Sequence, residues 1–481
     1  MDKLKNYIDG ILTTPYSNNY INNYDPSTGE VYTMLPDSDA EDVELAVQSA
    51  EKAFPKWSAL SADRRADHLY KIAALIERDL EKFAYAESKD NGKPLQLALS
   101  VDIPRAIKNF EFFASAITQF SSESHHTNSE ILNYTLRQPF GIAGAISPWN
   151  LPLYLFTWKI APALAAGNCV IAKPSEVTPL TAFMLSEICI EAGLPQGVLN
   201  IIHGYGHKAG SAIVSNPGIK AITFTGGTKT GMEISRIAAP MLKKLSLELG
   251  GKNPVLIFKD CNYDEMLETT VRSSFTNQGE ICLCGSRIFI EKEIYEKFKT
   301  DFVKKVRELN VGDPLLEDTN VGAIVSEQHY NKILYYIDLA KKEGGNILCG
   351  GESVELKGRC NNGWFIAPTV IEGLDYKCSP NQEEIFGPVV TIMPFESEDE
   401  VLNMANSTEY GLATVVWTSD LSRAHRISAK IQSGIVWINC WMVRDLRTPF
   451  GGVKNSGVGR EGGLEALRFF TETKNVCIKI S

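Results

Sequence analysis

The fold turns on residues 142–176, IAGAISPWNLPLYLFTWKIAPALAAGNCVIAKPSE, which begin and end in short β-rich runs and enclose a long apolar stretch. Residues 138–172 hold one charged side chain, Lys159, and by hydropathy alone resemble a membrane span. Pro148, Pro152 and Pro162 interrupt them, and Asn150 and Asn168 lie inside, so a buried core segment is the better reading. The order of strand, glycine turn and helix then repeats, with β-rich runs at 198–203, 221–225 and 254–258. Such alternation predicts a parallel sheet with crossover helices, and a nucleotide-binding α/β domain follows as the expectation.

Upstream, a helix is predicted after the Ser38/Asp39 cap, with Val43, Val47, Ala50 and Phe54 on one face. A second follows Ser61 and carries Leu69, Ile72, Leu75, Ile76, Leu80 and Phe83, ending before Asn91-Gly92-Lys93-Pro94. A third starts at Pro104, with Arg105 in its first turn and Phe110, Phe112 and Phe113 beyond, and residues 131–138 read as a strand. Downstream, a second α/β alternation opens with a strand at 288–290 and a helix at 292–309, and continues with strands near 389–394 and 414–418. Residues 475–481 alternate again without an evident partner, so they are expected to donate an edge strand to a neighbouring subunit.

Length and composition agree with this. At about 150 residues per domain, 481 residues imply two to four domains. The apolar share of 44% and charged share of 22% exclude a disordered chain. With 48 basic against 58 acidic residues, a net charge of −10 and no basic run, nucleic acid is not an expected partner. Nor is a membrane. The N-terminal MDKLKNYIDG has no apolar signal-peptide core, so the cytoplasm is the expected compartment. Ten scattered cysteines do not suggest a disulfide scaffold, and no zinc-ligand spacing is present, so no metal is expected.

Four places carry possible chemistry. Gly204-Tyr-Gly206-His-Lys-Ala-Gly210 misses the dinucleotide fingerprint by one residue, and Gly226–Gly231 lacks the P-loop ending. FTGG at 224–227 nevertheless follows an apolar run and opens a helix near Thr228, which is either an ordinary turn or a cradle for pyrophosphate. Asn150, in Ser147-Pro-Trp149-Asn150, is either a satisfied structural amide or a donor aimed at developing negative charge. Glu248 is either a core ion-pair member or a general base, and Cys282, crowded by polar and glycine residues, is either an inert core thiol or a nucleophile.

Seven motifs in fixed order, ISPWNLPL, IAKPSE, FTGG, LELGGKNP, NQGEICL, EEIFGP and PFGGVKNSGVGRE, span nearly the whole chain. In that order and spacing the chain resembles the NAD(P)-dependent aldehyde dehydrogenases. Within them, Asp102-Ile-Pro-Arg105, 277–284 and Asn439-Cys-Trp441-Met-Val-Arg444 are similar to the branch that acts on 2-aminomuconic semialdehyde, an animal form of which is also described as acting on retinal.

The resemblance implies an α/β molecule with a Rossmann-type cofactor domain (1–121 and 140–249), an α/β catalytic domain (250–446) and a small β oligomerisation element (122–139 and 463–481). It implies Cys282 as nucleophile, Glu248 as base for hydrolysis, and Asn150 with the Cys282 amide as oxyanion hole. NAD would lie with its ribose against Lys173 and Glu176, its pyrophosphate near Gly227 and Trp149, and its nicotinamide against Glu384 and Phe386. Ser147, Ser175, Gly206, Gly210, Thr228 and Leu249 complete that implied site. Glu176 would repel a 2′-phosphate, favouring NAD over NADP. Arg105 and Arg444, beside Phe110 and Trp441, would hold a substrate carboxylate. A homodimer or homotetramer is implied. Two departures touch the cofactor: Gly227 stands where many relatives have Ser, and Glu280 where Gln is common. Retinal or a general aldehyde is the alternative substrate class, and an inactive scaffold the alternative of another kind.

Overall fold

The structure, a computed structural model, describes residues 2–480. Its larger sheet has eight strands. Five of them, Leu199–Ile201, Cys169–Lys173, Ile142–Ile146, Ile219–Thr225 and Lys244–Glu248, lie side by side and parallel. In chain order this is 3-2-1-4-5, so the chain reverses direction of travel beside Ile142–Ile146. Ligands of open α/β sheets sit at the carboxyl ends of strands flanking such a point. Trp149 and Asn150 follow the first strand, Lys173 ends the second, Gly226 and Gly227 follow the fourth, and Glu248 ends the fifth. The sheet also recruits Asn6–Ile8 and Ile11–Thr13 at one edge and Gly457–Val458 at the other.

Nearly every residue of these strands is buried because crossover helices cover both faces, so they read as continuous apolar runs rather than alternating ones. The helix Pro152–Ala165 is buried at all of its 14 residues. That explains the apolar stretch, and a helix of 14 residues is too short to cross a bilayer. No helix among the described residues is long and apolar enough to do so.

A second sheet of seven strands is built around Asn253–Ile257, Gly285–Glu291 and Val389–Phe395, with Ala413–Trp417 and Ile435–Ile438 on the far side. All of its pairings are parallel except that of Asn346–Cys349 with Thr369–Glu372. Each large sheet has its own apolar cluster, and the segment carrying Cys282 enters the second.

The first helix, Ala40–Ser58, starts where expected, with the Asp39 carboxylate accepting from Glu41 N at 3.1 Å. Four readings need correction. The run at 254–258, read as continuing the first alternation, is the strand Asn253–Ile257 of the second sheet, because a β-rich run after a helix reads the same whichever sheet it joins. The second helix is two helices, Ala62–Arg78 and Leu80–Asn91, broken at Asp79, which leaves helical geometry. Leu80 and Phe83 keep the apolar spacing across the break because both helices face the same core, and periodicity does not register a one-residue interruption. Phe110 is fully buried in that core and does not line the cavity bordered by Arg105, Trp441 and Arg444. Finally, the C-terminal strand Glu472–Lys479 has its partner in the same chain, pairing antiparallel with Ile131–Gln138, which also pairs with Ser124–Asn128. The partner lies more than 300 residues away in sequence, which hid it.

Candidate active site

Cys282 follows a strained turn. Asn277, Gln278 and Gly279 have φ of 55°, 55° and 72°, the left-handed region that non-glycine residues rarely enter. Side chains hold the turn there: Asn277 Nδ2 donates to the Asn150 carbonyl at 3.1 Å, and Gln278 Nε2 to the Ala323 carbonyl at 3.1 Å. Asn253 Nδ2 donates to the carbonyls of Cys282 (2.7 Å) and Cys284 (2.9 Å), fixing the far side of the loop. Asn150 is buried, and its Nδ2 donates to the Glu280 carbonyl at 2.8 Å. This bond uses one of its two N–H groups and sets the plane of the other.

Glu248 is buried with neither carboxylate oxygen hydrogen-bonded. It lies against Gly451, where a Cβ would fall 2.6 Å from Oε1, so glycine is needed for the approach. Burial pushes the Glu248 carboxyl well above its ordinary range, with the Glu461 charge acting in the same sense against Lys159, Arg460 and Arg444. Lys159, the lone charge of the apolar helix, donates to Glu461 Oε1 at 2.7 Å and Thr223 Oγ1 at 3.2 Å. Burial, the Glu384 and Glu248 charges and Cys284 push the Cys282 thiol up, and Arg444 opposes them.

The Ile281–Cys282 segment separates two cavities. One, of about 240 Å³, is lined by Trp149, Asn150, Gly227, Leu249, Cys282, Glu384 and Phe386, together with His329 and Lys332. Glu384 accepts from Gly251 N at 2.8 Å, and a Cβ on Gly250 would overlap its carboxylate. Phe386 has φ of 64°, held by His329 Nε2 donating to its carbonyl at 2.6 Å, and Trp149 packs edge-on against both rings. Gly227 caps the helix Thr228–Ala238 without a side-chain bond, and a Cβ there would meet nothing within 4 Å. Open space before free helix N–H groups fits a pyrophosphate.

Lys173 donates to Glu176 Oε2 at 3.2 Å, and Gly210 lies over its side chain. Burial pushes Glu176 up, but the Lys173 ammonium and surrounding amides outweigh it and leave the carboxyl below its usual range. An ionised carboxylate with one oxygen still free to accept fits ribose hydroxyls. Thr228 Oγ1 donates to the Asn455 carbonyl at 3.4 Å. Ser147 and Ser175 stand apart from the cavity: the Ser147 hydroxyl is buried without a partner, and Ser175 Oγ accepts from Val177 N. Glu280 is buried, accepts from Val325 N at 3.3 Å, and is pushed well up by burial.

The other cavity, of about 740 Å³, is lined by Arg105, Lys108, Tyr154, Arg272, Trp441 and Arg444 among others. Arg105 lies over the Tyr154 ring at 5.9 Å and Arg444 over Phe450 at 4.1 Å. Neither has an ion-pair partner among the described residues. Trp441 is fixed by Nε1 donating to the Leu283 carbonyl at 2.9 Å. Asn253, Glu461, His329, Lys332 and Lys93 escaped the sequence reading. Lys159, isolated in an apolar run, was the one signal available.

The matching family model, the aldehyde dehydrogenase family, covers residues 13–476. The chain is 50% identical over 479 residues to human 2-aminomuconic semialdehyde dehydrogenase, covering 99% of this chain and 98% of the relative. It is 44% identical over 486 residues to 2-aminomuconic 6-semialdehyde dehydrogenase of a Pseudomonas species, covering 100% and 99%. An NAD+ complex of a Bacillus cereus aldehyde dehydrogenase superposes with a TM-score of 0.97 at 37% identity, covering 100% of this chain and 97% of that one. The chain therefore belongs to the aldehyde dehydrogenase family.

Proposed function

We propose that the protein oxidises 2-aminomuconic 6-semialdehyde to 2-aminomuconate, with NAD as hydride acceptor. The observation that carries the substrate is the larger cavity: aromatic walls for a flat conjugated chain and two arginines, Arg105 and Arg444, without carboxylate partners. A guanidinium fork suits a carboxylate, and retinal has none. The naming of relatives at 50% identity supports the same reading.

In this reading the Cys282 thiol first loses its proton to solvent, and the thiolate Sγ attacks the aldehyde carbon and forms a C–S bond, the carbonyl oxygen becoming an oxyanion. The free N–H of Asn150 and the Cys282 amide hold it; one such donor is worth about 3 kcal/mol. Trp149, Gly227, Lys173, Glu176, Glu384 and Phe386 hold NAD, which, when bound, supplies the hydride acceptor. As the oxyanion collapses, the C–H bond of the same carbon breaks and its electron pair leaves with the hydrogen as hydride to that acceptor; the resulting thioester on Cys282 is hydrolysed by a water whose proton passes to Glu248, the water oxygen bonding to the acyl carbon as the Cys282 thiolate leaves. A carboxylate raised by burial is a stronger base than an exposed one, which suits this step. The molecule works in the cytoplasm as a homodimer or homotetramer.

The test is NADH formation from the muconic semialdehyde, from retinal and from an uncharged aromatic aldehyde. Arg105→Ala and Arg444→Ala should each raise KM for the muconic substrate about 30-fold, equivalent to about 2 kcal/mol for a charge-assisted contact, and leave the uncharged aldehyde little changed. Retinal as the better substrate, or wild-type kinetics in both variants, would sink the substrate reading and leave the aldehyde reaction standing.

A further inference from the structure

Lys93 is fully buried, directly after the left-handed Gly92 that ends the helix Leu80–Asn91. Its ammonium donates to Asp102 Oδ2 at 2.5 Å and to the Asn150 carbonyl at 3.1 Å, and lies 3.8 Å from Glu87 Oε1. Glu87 and Asp102 are also buried, and each keeps one oxygen without a hydrogen-bond partner. Burial pushes Glu87 up to about 7, opposed by Lys93 and assisted by Asp102. A cluster this poorly satisfied is costly to bury, and apolar residues of the same volume would pack there more cheaply.

Its geometry indicates a use. The Asn150 carbonyl accepts from Lys93 on one side and from Asn277 of the Cys282 turn on the other, while Asn91 Nδ2 donates to the preceding Trp149 carbonyl at 3.0 Å. With Thr178 Oγ1 also donating to the Trp149 carbonyl at 3.3 Å, four side-chain donors thus fix the backbone of residues 149–150. Asp102 ends the π-helical turn Ala98–Asp102, which runs directly into the helix carrying Arg105. One ammonium therefore joins the wall of the aldehyde-side cavity to the backbone of Asn150.

We infer that Lys93 is a positioning residue for the oxyanion donor: it holds the Asn150 backbone so that the free side-chain N–H meets the developing oxyanion without reorganisation. The inference rests on the reading of Asn150 given above. A donor already in place is worth more than one that must move, so loosening its anchor should cost rate in acylation and leave cofactor binding alone.

The test is a double-mutant cycle on the full-length enzyme, using Lys93→Met, Asn150→Ala and the pair, read by single-turnover NADH formation at saturating NAD and by KM for NAD. Lys93→Met should slow acylation about 10- to 100-fold in the native background, the scale of a displaced or lost donor, and less than about 2-fold once Asn150 is Ala, with KM for NAD unchanged. An equal cost in both backgrounds would overturn the inference and leave the role of Asn150 intact. Undiminished acylation in Asn150→Ala alone would remove the oxyanion reading, and the inference with it. If Lys93→Met does not fold, Asp102→Asn, which keeps the shape and weakens the anchor, runs through the same cycle. It should show the same non-additivity with a smaller loss, and additive losses there overturn the inference equally.

Discussion

Cys282 and Glu248 share one electrostatic situation: burial and neighbouring carboxylates hold both above their ordinary pKa. Each acts in its deprotonated form, so the sign is fixed, and turnover should rise with pH through the neutral range and level off only on the alkaline side. A pH profile of kcat checks this, and a rate that falls between pH 6 and 8 would contradict it. Glu248→Gln should retain the first NADH burst and then stall, with an acyl adduct on Cys282 visible by mass spectrometry, because hydride loss needs no base there. Cys282→Ala should abolish NADH formation. Cys284→Ala should keep most of it, since that side chain is buried in the second apolar cluster, its sulfur 3.9 Å from the Thr276 carbonyl. An acyl group trapped on Cys284 would reverse the assignment.

Among the elements, the helix Pro152–Ala165 does two things at once. Its apolar faces fill the space between sheet and outer helices, and it delivers Lys159 to Glu461 beside the Ile219–Thr225 strand. Removing one member of a buried pair strands the other, a loss of about 3 kcal/mol or more. Lys159→Met should therefore lower the thermal midpoint by several degrees, and adding Glu461→Gln should restore part of it. Differential scanning calorimetry on the three variants decides, and additive losses would show that the two side chains are not coupled. The π-helical turn Ala98–Asp102 has a comparable double role, since it ends in Asp102 and leads into the helix that carries Arg105.

At the scale of the whole molecule, the adjacent residues Ile281 and Cys282 line different cavities, Ile281 the larger and Cys282 the smaller. The three-stranded sheet stands apart. Every residue of Ser124–Asn128 is exposed, the strand Glu472–Lys479 is nearly so, and Ile478 and Ile480 are 43% and 52% exposed. Two open edges, one of them carrying exposed isoleucines, are a pairing surface that natural proteins seldom leave uncovered. Light scattering should accordingly give a closed dimer or tetramer, and Ile478→Lys should shift it toward smaller species. A stable, active monomer would refute this.

Much of the plan was legible in the chain itself. The alternation from residue 142 to 248 specified a parallel sheet because strands buried on both faces must be apolar throughout, and the Asp39 and Ser61 caps marked helix starts because a short polar side chain there satisfies the first free N–H groups. Asn150 and Glu248 stood out as polar residues in apolar stretches and Cys282 as a thiol among polar and glycine residues, but their local sequence left each with a structural and a chemical reading, and the family resemblance supplied the choice. Other features depend on pairings that no local pattern encodes: the tail's partner at Ile131–Gln138, the break at Asp79, the burial of Phe110, and the Lys159–Glu461 pair across 302 residues. The same holds for Lys93. In sequence it is one more lysine beside a proline. Only the folded chain brings its ammonium to the Asn150 carbonyl, because hydrogen bonding and burial depend on distance in space, and local sequence patterns constrain only near neighbours along the chain.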